Sequence, residues 1–267
     1  MLSKEDNEFA CRVGPGTPMG ELFRRFWLPA LLPDELPKAD CPPVRLRLLG
    51  EDLVAFRDSN GEIGVVEAHC PHRGASLYFG RNEECGIRCV YHGWKFDVAG
   101  NCVDMPSEPA ESNFKDKIHI TAYPTALHGG LIWVYMGPQH LRAELPQLEW
   151  TRVPDSHRMV SKWYQETNYL QGYEGDIDSS HASFLHTYLD PAASPTGDGG
   201  AIDPRQKALD KAPKIIVNDT DYGFRYGARR TIGEGTYNWR VTQALLPTYS
   251  LIPFIRFPAG GRAWIPV

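Results

Sequence analysis

The sequence predicts an α+β protein of two domains: residues 1–150 all-β, residues 151–267 a helix-bearing domain with an antiparallel sheet that is incomplete at its end. Three observations carry this reading. Between residues 44 and 135 the apolar runs are short and separated by Gly, Asp and Asn turns. Between Pro124 and Pro154 the chain is punctuated by Gly137-Pro138, Leu145-Pro146 and Val153-Pro154, which reads as a linker. Beyond it a helix-length segment precedes longer strand-like runs.

In order along the chain, Thr17-Pro18 offers a capping hydroxyl followed by proline at the first helical position. Met19, Leu22, Phe23, Phe26 and Trp27 then recur with helical spacing, so one amphipathic helix is expected, ended by Pro29 and Pro33, its stripe packing into the core. Val44 to Leu49 and Leu53 to Phe56 flank Gly50-Glu51-Asp52, and Asp58-Ser59-Asn60-Gly61 turns the chain into Ile63 to Val66. Ile87 to Val90, Trp94 to Phe96, Cys102 to Asp104 and Leu131 to Tyr135 continue the strands. In the second domain a helical segment is expected from about Ser161 to about Leu185. Pro191 to Pro204 reads as a loop, and Ile215 to Val217, Phe224 to Ala228 and Thr236 to Ala244 read as strands. Leu251 to Phe257 and Arg262 to Val267 read as a last hairpin; because the sequence ends inside that strand, further residues are expected to complete the sheet.

The chain has 267 residues, 42% hydrophobic and 23% charged, which excludes a disordered polypeptide. A net charge of −5 with no basic cluster argues against a nucleic-acid or membrane-surface partner. There is no signal-like start and no apolar run of membrane-spanning length, so a cytoplasmic protein is expected. With six cysteines and no secretion signal, a disulfide framework is not expected, and Cys11, Cys41, Cys85 and Cys102 read as ordinary thiols.

The other two cysteines carry the chemistry. Cys70-Pro71-His72 and Cys89-Val90-Tyr91-His92 supply two thiolates and two imidazoles, the donor set of a Rieske-type [2Fe-2S] cluster: two Cys on one iron, two His on the other. The alternative is a structural zinc site, which accepts the same four donors in tetrahedral geometry. Gly74 and Gly93, just beyond each histidine, favour the cluster, because backbone must fold closely round an inorganic core. Both donor pairs are expected on loops between strands, where neighbouring N–H groups can face the sulfurs.

A second group lies between Glu174 and His186. On a helix Glu174, Asp178 and His181 share one face, but His186 is turned from it by about 140°. Both imidazoles can reach one metal only if the helix ends, bends or widens between them. Glu174 and Asp176 read as ordinary helix-face acids.

These motifs resemble the Rieske non-haem iron oxygenases, whose iron motif Asp-x-x-His-x₄-His is matched by Asp178, His181 and His186. Gly14-Pro15-Gly16-Thr17-Pro18, Arg25-Phe26-Trp27, Cys70-Pro71-His72-Arg73-Gly74-Ala75 and Tyr91-His92-Gly93-Trp94 extend the resemblance, which is strongest to the phthalate dioxygenase-like oxygenase subunits. The resemblance implies that His181 and His186 ligate a mononuclear Fe(II) with open positions for O₂. It implies that Asp178 is not a ligand but links His181 to the cluster ligand His92 of a neighbouring subunit, in a homo-trimer or a multiple of one. It further implies an aromatic, carboxylated substrate that is hydroxylated or demethylated, with electrons from NAD(P)H through a separate flavin or iron–sulfur reductase. The third iron ligand of the family is a late carboxylate; Asp190, Asp198, Asp203, Asp210, Asp219 and Asp221 lack its surroundings and none is nominated. A Rieske electron carrier with a degenerate second domain, and more weakly a zinc-stabilised binding protein, remain as alternatives.

Overall fold

A computed structural model describes residues 2–109, 111–186, 210–252 and 260–267, which fall into two units: Met1–Gln165 with Ile265–Val267, and Glu166–Trp264. The proline-rich stretch expected to link the domains thus belongs with the first unit. Among the described residues no helix is long and apolar enough to cross a membrane, and no disulfide joins the cysteines.

The first unit begins with helix α1 (Lys4–Cys11), capped by Ser3, whose hydroxyl accepts the Asp6 N–H at 3.0 Å. Helix α2 (Pro18–Phe23) has Pro18 in its first turn and the Thr17 hydroxyl on the Gly20 N–H at 3.2 Å. It is shorter than its apolar spacing predicts. The chain turns extended after Phe26, and Trp27 belongs to strand β1 (Trp27–Leu31), where Trp27, Leu28, Ala30 and Leu31 are buried. Burial of consecutive side chains looks the same in sequence as a helix stripe, which explains the misreading. Pro29 is tolerated because β1 is an edge strand and needs no N–H on its open side.

Ten further strands follow in this unit: β2 (Val44–Leu48), β3 (Glu51–Arg57), β4 (Ile63–Glu67), β5 (Arg81–Glu83), β6 (Gly86–Arg88), β7 (Lys95–Phe96), β8 (Cys102–Asp104), β9 (Ala122–Tyr123), β10 (Thr125–His128) and β11 (Leu131–Tyr135). They form antiparallel sheets in the orders β1-β11-β10, β2-β3-β4-β9 and β5-β6-β7-β8. The turn between β3 and β4 is built by Asp58, whose Oδ1 accepts the N–H groups of Asn60 and Glu62 at 2.9 and 2.8 Å. Val54, Phe56, Val66, Leu77, Ile87, Trp94, Phe96, Met105 and Ile120 form one apolar cluster that also contains Cys70 and Cys89. The core therefore runs up to the two ligand loops and sets their depth.

In the second unit helix α3 (Tyr169–Ile177) starts on Asn168, whose side chain accepts the Gln171 N–H at 2.9 Å. It is much shorter than the expected segment. Its end is set by Asp178, which takes an extended backbone while its N–H still bonds Glu174 O at 2.9 Å. Strands β12 (Lys214–Thr220), β13 (Gly223–Gly233), β14 (Thr236–Leu245), β15 (Tyr249–Ile252) and β16 (Gly260–Ala263) form an antiparallel meander. On one face Tyr226, Ala228, Arg230, Thr242 and Ala244 are buried, and on the other Trp239 and Val241 are exposed, the alternation a one-sided sheet requires. Helix α3 packs on β14 and β15. Gly172 makes close approach possible, since a Cβ there would lie 2.3 Å from the Trp264 indole. The loop expected at 191–204 and residues 253–257 of the last hairpin lie outside the described residues, as do Asp190, Asp198 and Asp203.

Candidate metal centres

The two ligand loops of the first unit are built on one plan. Cys70 N–H bonds Ala75 O at 2.9 Å and Gly74 N–H bonds Cys70 O at 2.9 Å. In the second loop Cys89 N–H bonds Trp94 O at 2.8 Å and Gly93 N–H bonds Cys89 O at 3.1 Å. Each loop caps an antiparallel pairing, His69 with Ser76 and Arg88 with Lys95. Each closes through a glycine at positive φ, +69° at Gly74 and +77° at Gly93, a backbone state that side chains resist. Gly93 has a second reason to be glycine, because a Cβ would come within 2.7 Å of Pro106.

This plan sinks the sulfurs and leaves the rings nearer the surface. Cys70 and Cys89 are buried at 2% and 3% exposure, whereas His72 and His92 are half-buried. The two thiols lie within hydrogen-bonding reach of each other, and the N–H groups of His72 and Arg73 point at the Cys70 sulfur. Burial pushes the Cys70 thiol up to about 11, against the backbone donors. Loss of hydration, then the neighbouring His92 and Arg73, push His72 below the ordinary imidazole range. Its ring is 4.4 Å from that of His92 and stacks on Trp94 at 4.6 Å with 7° between planes. Nδ1 of His72 and Nδ1 of His92 are both buried without a hydrogen-bond partner. Two orphaned ring nitrogens beside two adjacent thiols fit a cluster that takes up all four. Zinc would need the four donors to converge on one point, whereas a cluster takes them as two pairs on two irons.

The second loop is braced from outside. Arg88, 8% exposed, donates through Nη1 to Gly93 O at 2.8 Å and to Asp104 Oδ2 at 2.6 Å, and through Nε to Glu83 at 2.6 Å. Asp104 is held below the usual carboxylate range, first by its hydrogen bond from Arg88. Cys85, four residues before Cys89, sits in the β5–β6 turn with its N–H on the Ser59 hydroxyl at 2.9 Å.

In the second unit the helix ends before His181, and His181–Ser183 forms a single 3₁₀ turn. The His181 and His186 rings are thereby brought to 5.2 Å. Asp178 organises the turn: Oδ1 accepts the Ser180 N–H at 2.6 Å, and Oδ2 accepts the His181 N–H at 3.1 Å and lies 2.9 Å from His181 Nδ1. Partial burial works to raise the Asp178 pKa, but these hydrogen bonds outweigh it and hold the carboxyl below its ordinary value. An ionised Asp178 makes Nδ1 of His181 the protonated nitrogen, so Nε2 is the nitrogen free to bind a metal.

Two residues of this region were not legible in the sequence. Asp176 is no solvated helix-face acid: it is buried and accepts from the Ser250 hydroxyl at 2.7 Å, Arg262 Nη1 at 2.6 Å and Trp264 Nε1 at 2.7 Å. Arg230 is 1% exposed and donates to Ser179 and Ser183. The partners of both lie far off in sequence, so no local pattern announces them.

Residues 26–124 match the Rieske [2Fe-2S] domain, and residues 134–255 match the family described as LigXa C-terminal domain like. The 3-chlorobenzoate-3,4-dioxygenase oxygenase subunit of Comamonas testosteroni is 43% identical over 269 residues, covering 100% of this chain and 61% of that protein. The phthalate 4,5-dioxygenase oxygenase subunit of Pseudomonas putida is 45% identical over 259 residues, covering 95% of this chain and 58% of that protein. A solved structure of dicamba monooxygenase bound to dicamba shares the fold at TM-score 0.68 and 22% identity, over 91% of this chain and 73% of that one. A Rieske domain joined to a second, sheet-based domain is the class these matches define. The chain is similar over nearly its whole length to phthalate dioxygenase-like oxygenase subunits, and it carries the Rieske [2Fe-2S] domain that such proteins join to a second domain. It spans about three-fifths of the length of the curated relatives it matches, 61% and 58% for these two.

Proposed function

We propose that the chain is the oxygenase component of a multicomponent system that hydroxylates or demethylates an aromatic, carboxylated substrate with O₂. Electrons would come from NAD(P)H by way of a separate flavin or iron–sulfur reductase. The observation that carries this reading is the presence in one chain of two donor sets: orphaned imidazole nitrogens beside paired thiols, and an Asp178-oriented His181 beside His186. Two relatives named for aromatic acids, 3-chlorobenzoate and phthalate, support the substrate class.

In this reading Cys70 and Cys89 hold one iron of a [2Fe-2S] cluster and His72 and His92 the other, while His181 and His186 hold Fe(II). When bound, the cluster supplies single electrons and the mononuclear iron supplies oxygen activation. Asp178 fixes the His181 tautomer and its ring orientation. Trp94 shields one face of the His72 ring, and the apolar cluster under Cys70 and Cys89 keeps water from the sulfurs. The working assembly is a homo-trimer, in which Asp178 of one subunit adjoins the cluster histidines of the next, and the protein acts in the cytoplasm.

Iron and acid-labile sulfide analysis of anaerobically purified protein, with electron paramagnetic resonance, tests this. Three irons and two sulfides per chain are expected. Two irons with two sulfides would instead mean an electron carrier, and zinc without sulfide would overturn the cluster assignment.

A further inference from the structure

Asp178 orients the His181 ring and caps the start of its turn, but its hydrogen bonds run only to Ser180 and His181 and do not tie that turn to the sheet. That turn needs an anchor. Helix α3 has already ended at Ile177, and a single 3₁₀ turn with two serines, Ser179 and Ser180, before His181 has little intrinsic stability. The chain must also leave helical register here to bring the two rings to 5.2 Å.

We propose that Arg230 is the positioning residue for the His181–His186 pair, its buried guanidinium pinning both sides of the His181 turn to the sheet. The proposal rests on the reading of these histidines as iron ligands. Arg230 lies on β13, and from there Nη2 donates to Ser179 O at 2.6 Å, Nη1 to the Ser179 hydroxyl at 3.2 Å, and Nη2 to the Ser183 hydroxyl at 3.3 Å. One planar group thus spans the residue two before His181 and the residue two after it. Ser179 and Ser183 are both buried at 3% exposure, so the contact is closed to water and cannot be replaced by it.

A buried guanidinium is a costly clamp. Burial, and then the nearby Arg240, press the Arg230 pKa down, and its Nε has no hydrogen-bond partner. A neutral side chain could fill the same volume at lower cost. What only arginine provides is a rigid fork with several donors in fixed directions; lysine, a point donor, reaches one of these acceptors and not the set. The geometry is that of a part selected for aiming a ligand. Supports of this kind typically govern metal affinity by about 10–100-fold.

The experiment is an anaerobic Co(II) titration of the full chain with its cluster in place, read by the visible d–d spectrum, with His181→Ala as reference. Arg230→Lys and the double variant Ser179→Ala, Ser183→Ala keep a cation in place and remove parts of the clamp. Both are expected to bind Co(II) about 10-fold or more weakly, with a shifted d–d band, an unchanged Rieske signal and an unchanged circular dichroism spectrum. Arg230→Met is expected to lose more, and if it also loses the circular dichroism of the second unit, the lysine and serine variants decide. Wild-type affinity and band position in both would overturn the proposal. A wild-type chain that binds no Co(II) beyond what His181→Ala binds would instead overturn the reading of the histidines as ligands.

Discussion

The cluster loops and the His181 turn solve one problem, holding imidazoles in place, by opposite means. The loops at Cys70 and Cys89 are closed by their own main chain: the same pair of N–H to O bonds, the same glycine at positive φ, an antiparallel pairing below, a single bridge under the first and a strand pair under the second. The His181 turn has one short helical turn of its own and is held by side-chain charges arriving from elsewhere, Asp178 from just before it and Arg230 from the sheet. The lesson is that a site made of backbone is written locally, in glycines and spacing, whereas a site made of side-chain anchors is written across the whole fold.

The sharpest way to break the comparison is at the glycines. Gly93→Val meets both a positive φ and Pro106, so nearly complete loss of the visible Rieske absorbance is expected; Gly74→Ala, with open space round its Cβ, keeps most of the absorbance and costs about 1–2 kcal/mol. If both behave alike, local crowding is not what separates the two loops. Next, Asp176→Ala strands three donors in the second unit. About 3 kcal/mol of destabilisation is expected in denaturant unfolding followed by tryptophan fluorescence, with the Rieske spectrum unchanged. That estimate is kept low because the Arg262 side chain is half-exposed.

A finer probe is Asp178→Asn, which can keep one turn bond but no longer fixes the His181 tautomer by charge. Iron retained by the second unit after gel filtration is expected to fall about 10-fold, while cluster iron stays. The smallest effect concerns acid. Asp104 is depressed in the folded state, so the stability it contributes is fully present above its unfolded pKa and is lost as pH falls through its lower folded value. Unfolding of the first unit by acid should therefore steepen below about pH 4, and Asp104→Asn should remove that steepening.

What could be read in advance follows the same division. The placement of Cys70, His72, Gly74, Cys89, His92 and Gly93 on glycine-closed loops between paired segments was legible because they sit in two short runs, and the need for a helix break between His181 and His186 was legible from their angular offset. The break comes earlier than a bare offset requires, since Asp178 leaves the helix before His181 is reached. Trp27 was misread because a doubly buried edge strand and a helix stripe share a pattern over few residues. Asp176 and Arg230 were invisible because an acid and a base in amphipathic segments look solvated until the fold places Trp264 over the one and Ser179 under the other.

The stretch from Arg262 to Pro266 has a consequence for the order of assembly. Arg262 and Trp264 close on Asp176 in the second unit, and within the first unit the Leu49 N–H bonds Pro266 O at 3.1 Å. During synthesis, therefore, neither unit can complete its contacts until the ribosome has released these few residues. Helix α3 must wait nearly ninety residues for its indole lid, a long-range closure of the kind that folds slowly and leaves apolar surface exposed meanwhile.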